Sequence, residues 1–237
     1  MKAIAQNCAA LLIAFTCSPV LAEERHSVWD LQLGQTATTL PRDFVELACG
    51  TNGGPPARPL KSFTDYLSCR PSGDELYEVY FRYNDEGEYV ARALEQAHDI
   101  ERLRGTRVYG FDVMTSALLD GAGVLRGIRV VTDPRGVEPG TRNDHWRLGA
   151  LFMRHFGETD WDCQELPLAE RETAITSFFV KRRCTKLTAD ASLKVEQDYY
   201  HRRGESFTDE FGKVQPTYFV STSRFELMAT AATSDDR

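Results

Sequence analysis

The amino-acid sequence predicts an α+β protein, mainly antiparallel β-sheet in two packed lobes, with few helices and two disulfides. Three observations carry this prediction: short alternating apolar runs separated by turn residues, a clear hairpin in mid-chain, and two similarly spaced cysteine pairs. Of the 237 residues, 42% are hydrophobic and 13 are phenylalanine, which is enough apolar surface to build a core.

The first 22 residues have the anatomy of a secretory signal peptide. Lys2 gives a positive start, a short apolar run follows, and Val20-Leu21-Ala22 is a small-residue cleavage site. The apolar run is too short for a membrane span, which needs about 20 residues. We therefore expect export to the periplasm, or secretion, with no transmembrane segment.

Removal of residues 1–22 leaves four cysteines, Cys49, Cys69, Cys163 and Cys184. An even count in an oxidising compartment indicates two disulfides, and three pairings are possible. We predict Cys49–Cys69 and Cys163–Cys184 because each pair lies between adjacent predicted strands. Closing a loop of this length is worth roughly 3 kcal/mol. No metal site is predicted, because the cysteines lack the close ligand spacing of zinc sites.

The first half of the chain is dominated by strand patterns. Strands are predicted at 28–33, 44–49, 63–69, 76–84 and 88–93. Residues 50–59, with Asn52-Gly53 and Pro55-Pro56, read as a loop. Its glycines lack the spacing of a phosphate-binding loop, and its prolines remove backbone donors, so an ordinary loop is favoured.

The middle and the second half contain two hairpin patterns and one helix pattern. Residues 95–106 are predicted to be a short helix or a loop, and 106–132 a hairpin that turns at 120–123. A helix is predicted at 145–157, where apolar residues have helical spacing and Gly157 closes the last turn. The remaining segments are a loop at 161–166, a second hairpin from 175–184 and 192–203, and a final strand at 217–229.

The cysteine spacing also suggests two lobes, at 23–140 and 141–230, followed by a disordered tail at 231–237. Leu33-Gly34 and Leu148-Gly149 precede the first cysteine of each pair by similar distances. The chain could therefore be an internal duplication; two independent disulfide hairpins are the alternative.

No catalytic constellation is visible in the sequence, and no catalytic residue or cofactor is predicted. The chain has neither a nucleophile elbow nor a zinc-protease motif. Its formal net charge is −7, and loss of Lys2 with the leader makes it more negative, which argues against nucleic acid as a partner.

The sharpest local feature is a basic stretch on the two strands of the second hairpin. If the strands pair, their basic residues would form a cationic patch suited to a carboxylate, a phosphate or an acidic partner. The candidate binding residues are Lys181, Arg182, Arg183, His201, Arg202 and Arg203. The alternative is a solvated face partnered by Glu196, Asp198 and Glu205.

The sequence therefore predicts an exported, non-catalytic binding or envelope-accessory protein that recognises a protein or an anionic ligand through a sheet surface. The alternative is a periplasmic hydrolase of cell-wall or extracellular polymers. That activity would need a groove in which carboxylates lie beside His145 or His201.

Overall fold

The computed structural model describes residues 25–83, 86–103, 105–135, 144–204, 207–208, 213–215 and 218–230. The predicted signal peptide at 1–22 and the predicted disordered tail at 231–237 lie outside these residues. The described chain is a sheet-dominated α+β fold, as the sequence predicts.

Antiparallel strands make up most of the described structure. The strands are β1 (Val45–Cys49), β2 (Tyr77–Arg82), β3 (Thr106–Val108), β4 (Phe111–Leu119), β5 (Leu125–Thr132), β6 (Asp162–Glu165), β7 (Glu172–Thr173), β8 (Val180–Leu187), β9 (Ala191–Arg202), β10 (Phe207–Thr208), β11 (Val214–Gln215) and β12 (Tyr218–Ala229). The α-helices are α1 (Glu86–Ala93), α2 (Ala97–Leu103) and α3 (Leu148–His155), and short 3-10 segments lie at Val28–Asp30, Phe63–Ser68 and His145–Arg147.

One large sheet runs through both halves of the chain, in the order β1-β2-β4-β5-β12-β9-β8-β6. Strand β3 adds to β4 and β7 adds to β9, while β10 and β11 form a separate pair. Each half contributes a meander, and the last long strand of each half, β5 and β12, pair at the centre. The predicted boundary between residues 140 and 141 falls within 136–143, outside the described residues, and stays a prediction.

The two disulfides pair as predicted, but they sit differently in their meanders. Cys163 and Cys184 face each other directly on β6 and β8. Cys49 lies on β1, whereas Cys69 follows the 3-10 segment that leads toward β2. The glycines used as sequence anchors differ as well, because Gly34 occupies a turn with φ of +90° and Gly149 lies inside α3. Duplication remains a hypothesis that the shared strand order alone supports.

The main core lies between one face of the sheet and the segments that cover it. Aromatic stacking joins these layers: Phe152 of α3 lies 4.6 Å from Phe225 of β12, and Phe44 lies 4.6 Å from Phe81 of β2. All four rings are buried and belong to one apolar cluster. A smaller cluster of Ala48, Tyr80, Met114 and Val131 lies on the opposite face.

Two predicted strands are 3-10 segments because polar side chains cap them. The predicted strand at 28–33 is wrong: Ser27 accepts from the backbone N–H of Trp29, and Asp30 accepts from the N–H of Ser27. The predicted strand at 63–69 is wrong for the same reason, since Asp65 accepts from the N–H of Ser62. These capping boxes stabilise a helical turn over an extended chain.

Two further elements differ from the sequence prediction. The predicted strand at 88–93 is helix α1, in which Glu88 and Arg92 pair one helical turn apart. The predicted loop at 161–166 contains the short edge strand β6. The central hairpin β4–β5, the helix at α3, the hairpin β8–β9 and the last strand β12 are confirmed.

Candidate functional site

The predicted basic residues of β8 already have acidic neighbours. Strand pairing places Lys181 opposite Asp198 and Arg183 opposite Glu196. Lys181 Nζ lies 2.7 Å from Glu172 Oε2, and an Arg183 nitrogen lies 3.0 Å from Asp198 Oδ2. Burial raises the pKa of Glu172, but hydrogen bonds from the Ala169 amide and Lys181, together with the Lys181 charge, outweigh it and lower that pKa.

The six predicted binding residues do not all share one face of the sheet. Lys181 and Arg183 lie on the same face as Arg202, because side chains alternate along each strand. Arg182 and His201 lie on the other face, the one that carries α3, and Arg182 pairs with Glu165. Arg203 lies just beyond β9, where its backbone N–H donates to Arg171. The six residues therefore remain a predicted binding site. Three of them, Lys181, Arg182 and Arg183, already pair with carboxylates of the same chain.

A cleft that the sequence did not predict lies beside β2 and β5. It has a volume of about 480 Å³ and is bounded by the loop after β1 and by the segment around the Cys49–Cys69 disulfide. Its lining residues are Cys49, Gly50, Thr51, Asn52, Ala57, Arg58, Ser68, Cys69, Arg70, Pro71, Ser72, Glu78 and Arg129. We refer to it as the arginine cleft, because Arg58, Arg70 and Arg129 supply its cationic groups.

An ion pair between Glu78 and Arg129, both largely shielded from solvent, forms the floor of the arginine cleft. Glu78 is 8% exposed, and its carboxylate accepts from the Arg129 guanidinium at 2.7 Å. The same carboxylate accepts from the backbone N–H groups of Asn52 and Gly53, at 2.6 and 3.1 Å. Two backbone N–H groups of the glycine-rich loop therefore bind a carboxylate of the same chain.

Close packing of the loop against the sheet depends on two glycines. A Cβ at Gly50 would lie 2.2 Å from the side chain of Glu78, so no other residue fits there without movement. Gly53 has φ of +80°, and a Cβ there would lie 2.4 Å from Val131. The sequence therefore specifies glycine where the loop must approach the sheet most closely.

The charge network continues from the floor of the cleft across the centre of the sheet. Arg129 Nε lies 2.7 Å from Glu226 Oε1, and Arg224 lies 2.6 Å from the same oxygen. Burial raises the pKa of Glu226. The Arg129 hydrogen bond and the charges of Arg224 and Arg129 outweigh that effect, so the pKa lies below its usual value. The network fixes Arg129 in place beneath the cleft.

The rim of the arginine cleft carries exposed positive charge, and Arg58 also donates to the backbone oxygen of Ser68 at 3.5 Å. Arg58 and Arg70 are both exposed, and no carboxylate pairs with either within the described part of the chain. The Glu78 charge in the floor is balanced by Arg129, so the two rim arginines give the cleft a positive character. Sequence patterns missed this site because its residues come from the loop after β1, from the segment at 68–72 and from three separate strands.

The histidines do not join the arginine cleft. His145 is 2% exposed and its ring lies 6.3 Å from Phe111, while His201 lies on the α3 face of β9. Neither lines the cleft, so the carboxylate–histidine groove that the hydrolase alternative needs is not formed there.

The described residues contain neither a membrane-spanning helix nor a cluster of metal ligands. No described helix has both the length and the apolar character to cross a bilayer. Among the same residues, no group of three or more histidine, cysteine or acidic side chains is arranged to hold a metal ion. The two disulfides are those expected of a chain that folds outside a reducing cytoplasm.

Comparison with protein-family models, with curated proteins and with solved structures gave no significant match to this chain.

Proposed function

We propose that this chain is an exported binding protein that holds a small anionic ligand, bearing carboxylate or phosphate groups, in the arginine cleft. The observation that carries the proposal is the pair of exposed arginines, Arg58 and Arg70, at the rim of a 480 Å³ cleft. A cleft of this volume falls in the range of small-molecule sites, which is roughly 300–1,000 Å³.

Arginine suits this role because its planar guanidinium can donate two parallel hydrogen bonds to a carboxylate or a phosphate. The chain as a whole is acidic, so a local cationic cleft gives an anion one favoured place to bind. In the floor, Arg129 is already engaged by Glu78 and Glu226, so the rim arginines are the groups proposed to bind the anion.

The walls of the cleft are prearranged. Cys49 and Cys69 both line it, and their disulfide joins the end of β1 to the segment after the second 3-10 turn, where Arg70 follows Cys69. Asn52 and Gly53 are tied to Glu78 from the other side. Walls that are fixed before binding reduce the entropy lost when a ligand is held.

We also propose that residues 1–22 are cleaved and that the mature protein resides in the periplasm.

Isothermal titration calorimetry of the mature protein tests the proposal. The probes are citrate for carboxylates, inorganic pyrophosphate for phosphates, and glucose as a neutral control. We expect binding of one anionic probe, weakened by added salt, and no binding of glucose. The Arg58→Ala/Arg70→Ala variant should weaken that binding at least about tenfold, since a charged hydrogen bond is worth about 1.5–3 kcal/mol.

The matched control is Arg182→Ala/Arg183→Ala, which removes the same charge from the predicted basic strand. It should leave probe affinity unchanged. If this variant weakens binding and the Arg58/Arg70 variant does not, the anion site lies at the basic strand and the arginine cleft is not the site. If neither anionic probe binds the unmodified protein, the proposal fails for both ligand classes.

A further inference from the structure

The two disulfides differ in their access to solvent. Cys49 and Cys69 are each 7% exposed, so both sulfurs are shielded. Cys163 is exposed on β6, whereas its partner Cys184 is fully buried. All four residues of β6 are exposed, and β6 is the last strand in the order on that side of the sheet. One residue of the Cys163–Cys184 disulfide is therefore exposed to solvent, whereas both residues of the Cys49–Cys69 disulfide are largely buried.

Strand β6 is held to the sheet by few contacts. It pairs with β8 over four residues, from Asp162 opposite Thr185 to Glu165 opposite Arg182. The Arg182–Glu165 ion pair and the disulfide itself add to this pairing. Strand β6 is short and pairs over four residues at the edge of the sheet. We therefore expect it to open locally at a lower free energy than the central strands.

Two basic side chains lie on the same face of β8 as Cys184. Arg182 and Lys186 are two residues before and after Cys184, so their side chains leave β8 on the same face as the sulfurs. Arg182 pairs with Glu165, and Lys186 donates to the backbone oxygens of Phe156, Gly157 and Thr159, so both help to hold the segment around β6.

We propose that Cys163–Cys184 is a thiol–disulfide exchange site for a dithiol reductant, of the class in which two thiols can close into a ring. A thiolate of the reductant attacks Cys163 Sγ, the S–S bond breaks, and its electron pair goes to Cys184 Sγ, which takes a proton from water. The second thiol of the reductant then attacks the mixed disulfide, releases the Cys163 thiolate and forms the oxidised reductant. Two electrons pass to the protein disulfide, and two protein thiols result.

Reduction would change one edge of the sheet. With the covalent link removed, β6 would be held by its four residue pairs, by the Arg182–Glu165 ion pair and by the N–H of Leu166, which donates to the oxygen of Lys181. Its release would open the backbone donors and acceptors of β8. The Cys49–Cys69 disulfide would remain, so the arginine cleft would keep its walls. This inference is independent of the anion site.

The test treats the native, oxidised protein with dithiothreitol in the absence of denaturant. Thiols are trapped with iodoacetamide over time, and each cysteine is quantified by peptide mass spectrometry. We expect Cys163 and Cys184 to be alkylated at least about tenfold faster than Cys49 and Cys69. Complete reduction in guanidinium chloride is the positive control that all four cysteines can be detected.

Repeating the time course in low concentrations of urea separates local from global opening. Exchange at an accessible sulfur should change little with urea before the unfolding transition. The proposal is overturned if all four cysteines react together, if Cys49–Cys69 reacts first, or if the Cys163–Cys184 rate rises with urea in step with global unfolding.

Discussion

Arg224 on the central strand β12 binds Asn52, which lies 172 positions earlier in the chain. The guanidinium donates to the backbone oxygen of Asn52 at 2.9 Å and to its side-chain oxygen at 2.6 Å. Asn52 also has a left-handed backbone with φ of 61°, a conformation that asparagine tolerates well. The loop after β1 is thereby tied to a strand of the other half of the chain.

Arg224→Ala should lower the free energy of unfolding by about 1–3 kcal/mol, because partly buried hydrogen bonds to a charged group are lost. Urea denaturation followed by circular dichroism measures this change. The control is Arg154→Ala, which removes an exposed pair with Glu158 and should cost less than about 0.5 kcal/mol. Equal effects of the two substitutions would show that the Asn52 contact and the Glu226 pair of Arg224 together add nothing beyond an exposed ion pair.

Glu78→Gln should cost about 1–3 kcal/mol, because it leaves the partly buried guanidinium of Arg129 with a neutral partner on this side. The new amide group must also face either Arg129 or the N–H groups of the loop, which are all donors. Hydrogen exchange provides a local measurement, in which the amides of Asn52 and Gly53 lose protection. Glu158→Gln, at an exposed pair, is the control; unchanged protection at Asn52 and Gly53 would contradict the assignment.

Stability should fall on acidification, in part through Glu226. Its folded-state pKa is lowered below the ordinary value of 4.5 because hydrogen bonding and positive charge from Arg129 and Arg224 outweigh the effect of burial. A lowered carboxylate pKa contributes stability that is present above the unfolded pKa and is lost as pH falls through the folded pKa. The stability difference between the unmodified protein and Glu226→Gln should therefore shrink below pH 4.5. Urea titrations at a series of pH values test this, and a difference independent of pH would refute it.

Gly149→Ala should destabilise the protein although alanine is the better helix former. The gain in helix propensity is about 1 kcal/mol. A Cβ at this position would lie 2.4 Å from Cγ of Gln197, a buried residue whose amide donates to the backbone oxygen of Trp146. Overpacking of this kind costs about 1–3 kcal/mol, so we expect a net loss near 1 kcal/mol.

Thermal unfolding measures the Gly149 effect, and Gly121→Ala is its control. Gly121 lies in the turn between β4 and β5, where an added Cβ meets nothing within 4 Å. That variant should change stability by less than about 0.5 kcal/mol. A Gly149→Ala protein that is more stable than its parent would show that Gln197 can move aside freely.

The sequence predicted the long sheet elements because their patterns are local. The β4–β5 hairpin has apolar strands on either side of a turn in which Asp120 accepts from the amides of Ala122 and Val124. The disulfide pairing could also be predicted, since each pair closes a short segment between neighbouring elements. These features depend on residues that lie close together in the chain.

Other elements were missed because a local polar contact overrides the apolar alternation. The segment 63–68 contains two aromatic residues and a leucine, which favour a strand, yet Asp65 caps Ser62 and selects a 3-10 turn. The ion network of Glu78, Arg129, Arg224 and Glu226 was missed for another reason. Its members become neighbours only through the register of β2, β4, β5 and β12, which no single-sequence pattern specifies.

The central position of β12 has a consequence for how the chain can assemble. It pairs with β5 on one side and with β9 on the other. Until this final long strand has been delivered to the folding compartment, the first meander ends in an unpaired β5 and the second in an unpaired β9. Both open edges are sites for wrong association, so a protein cut short before residue 218 should aggregate rather than persist as a half-molecule.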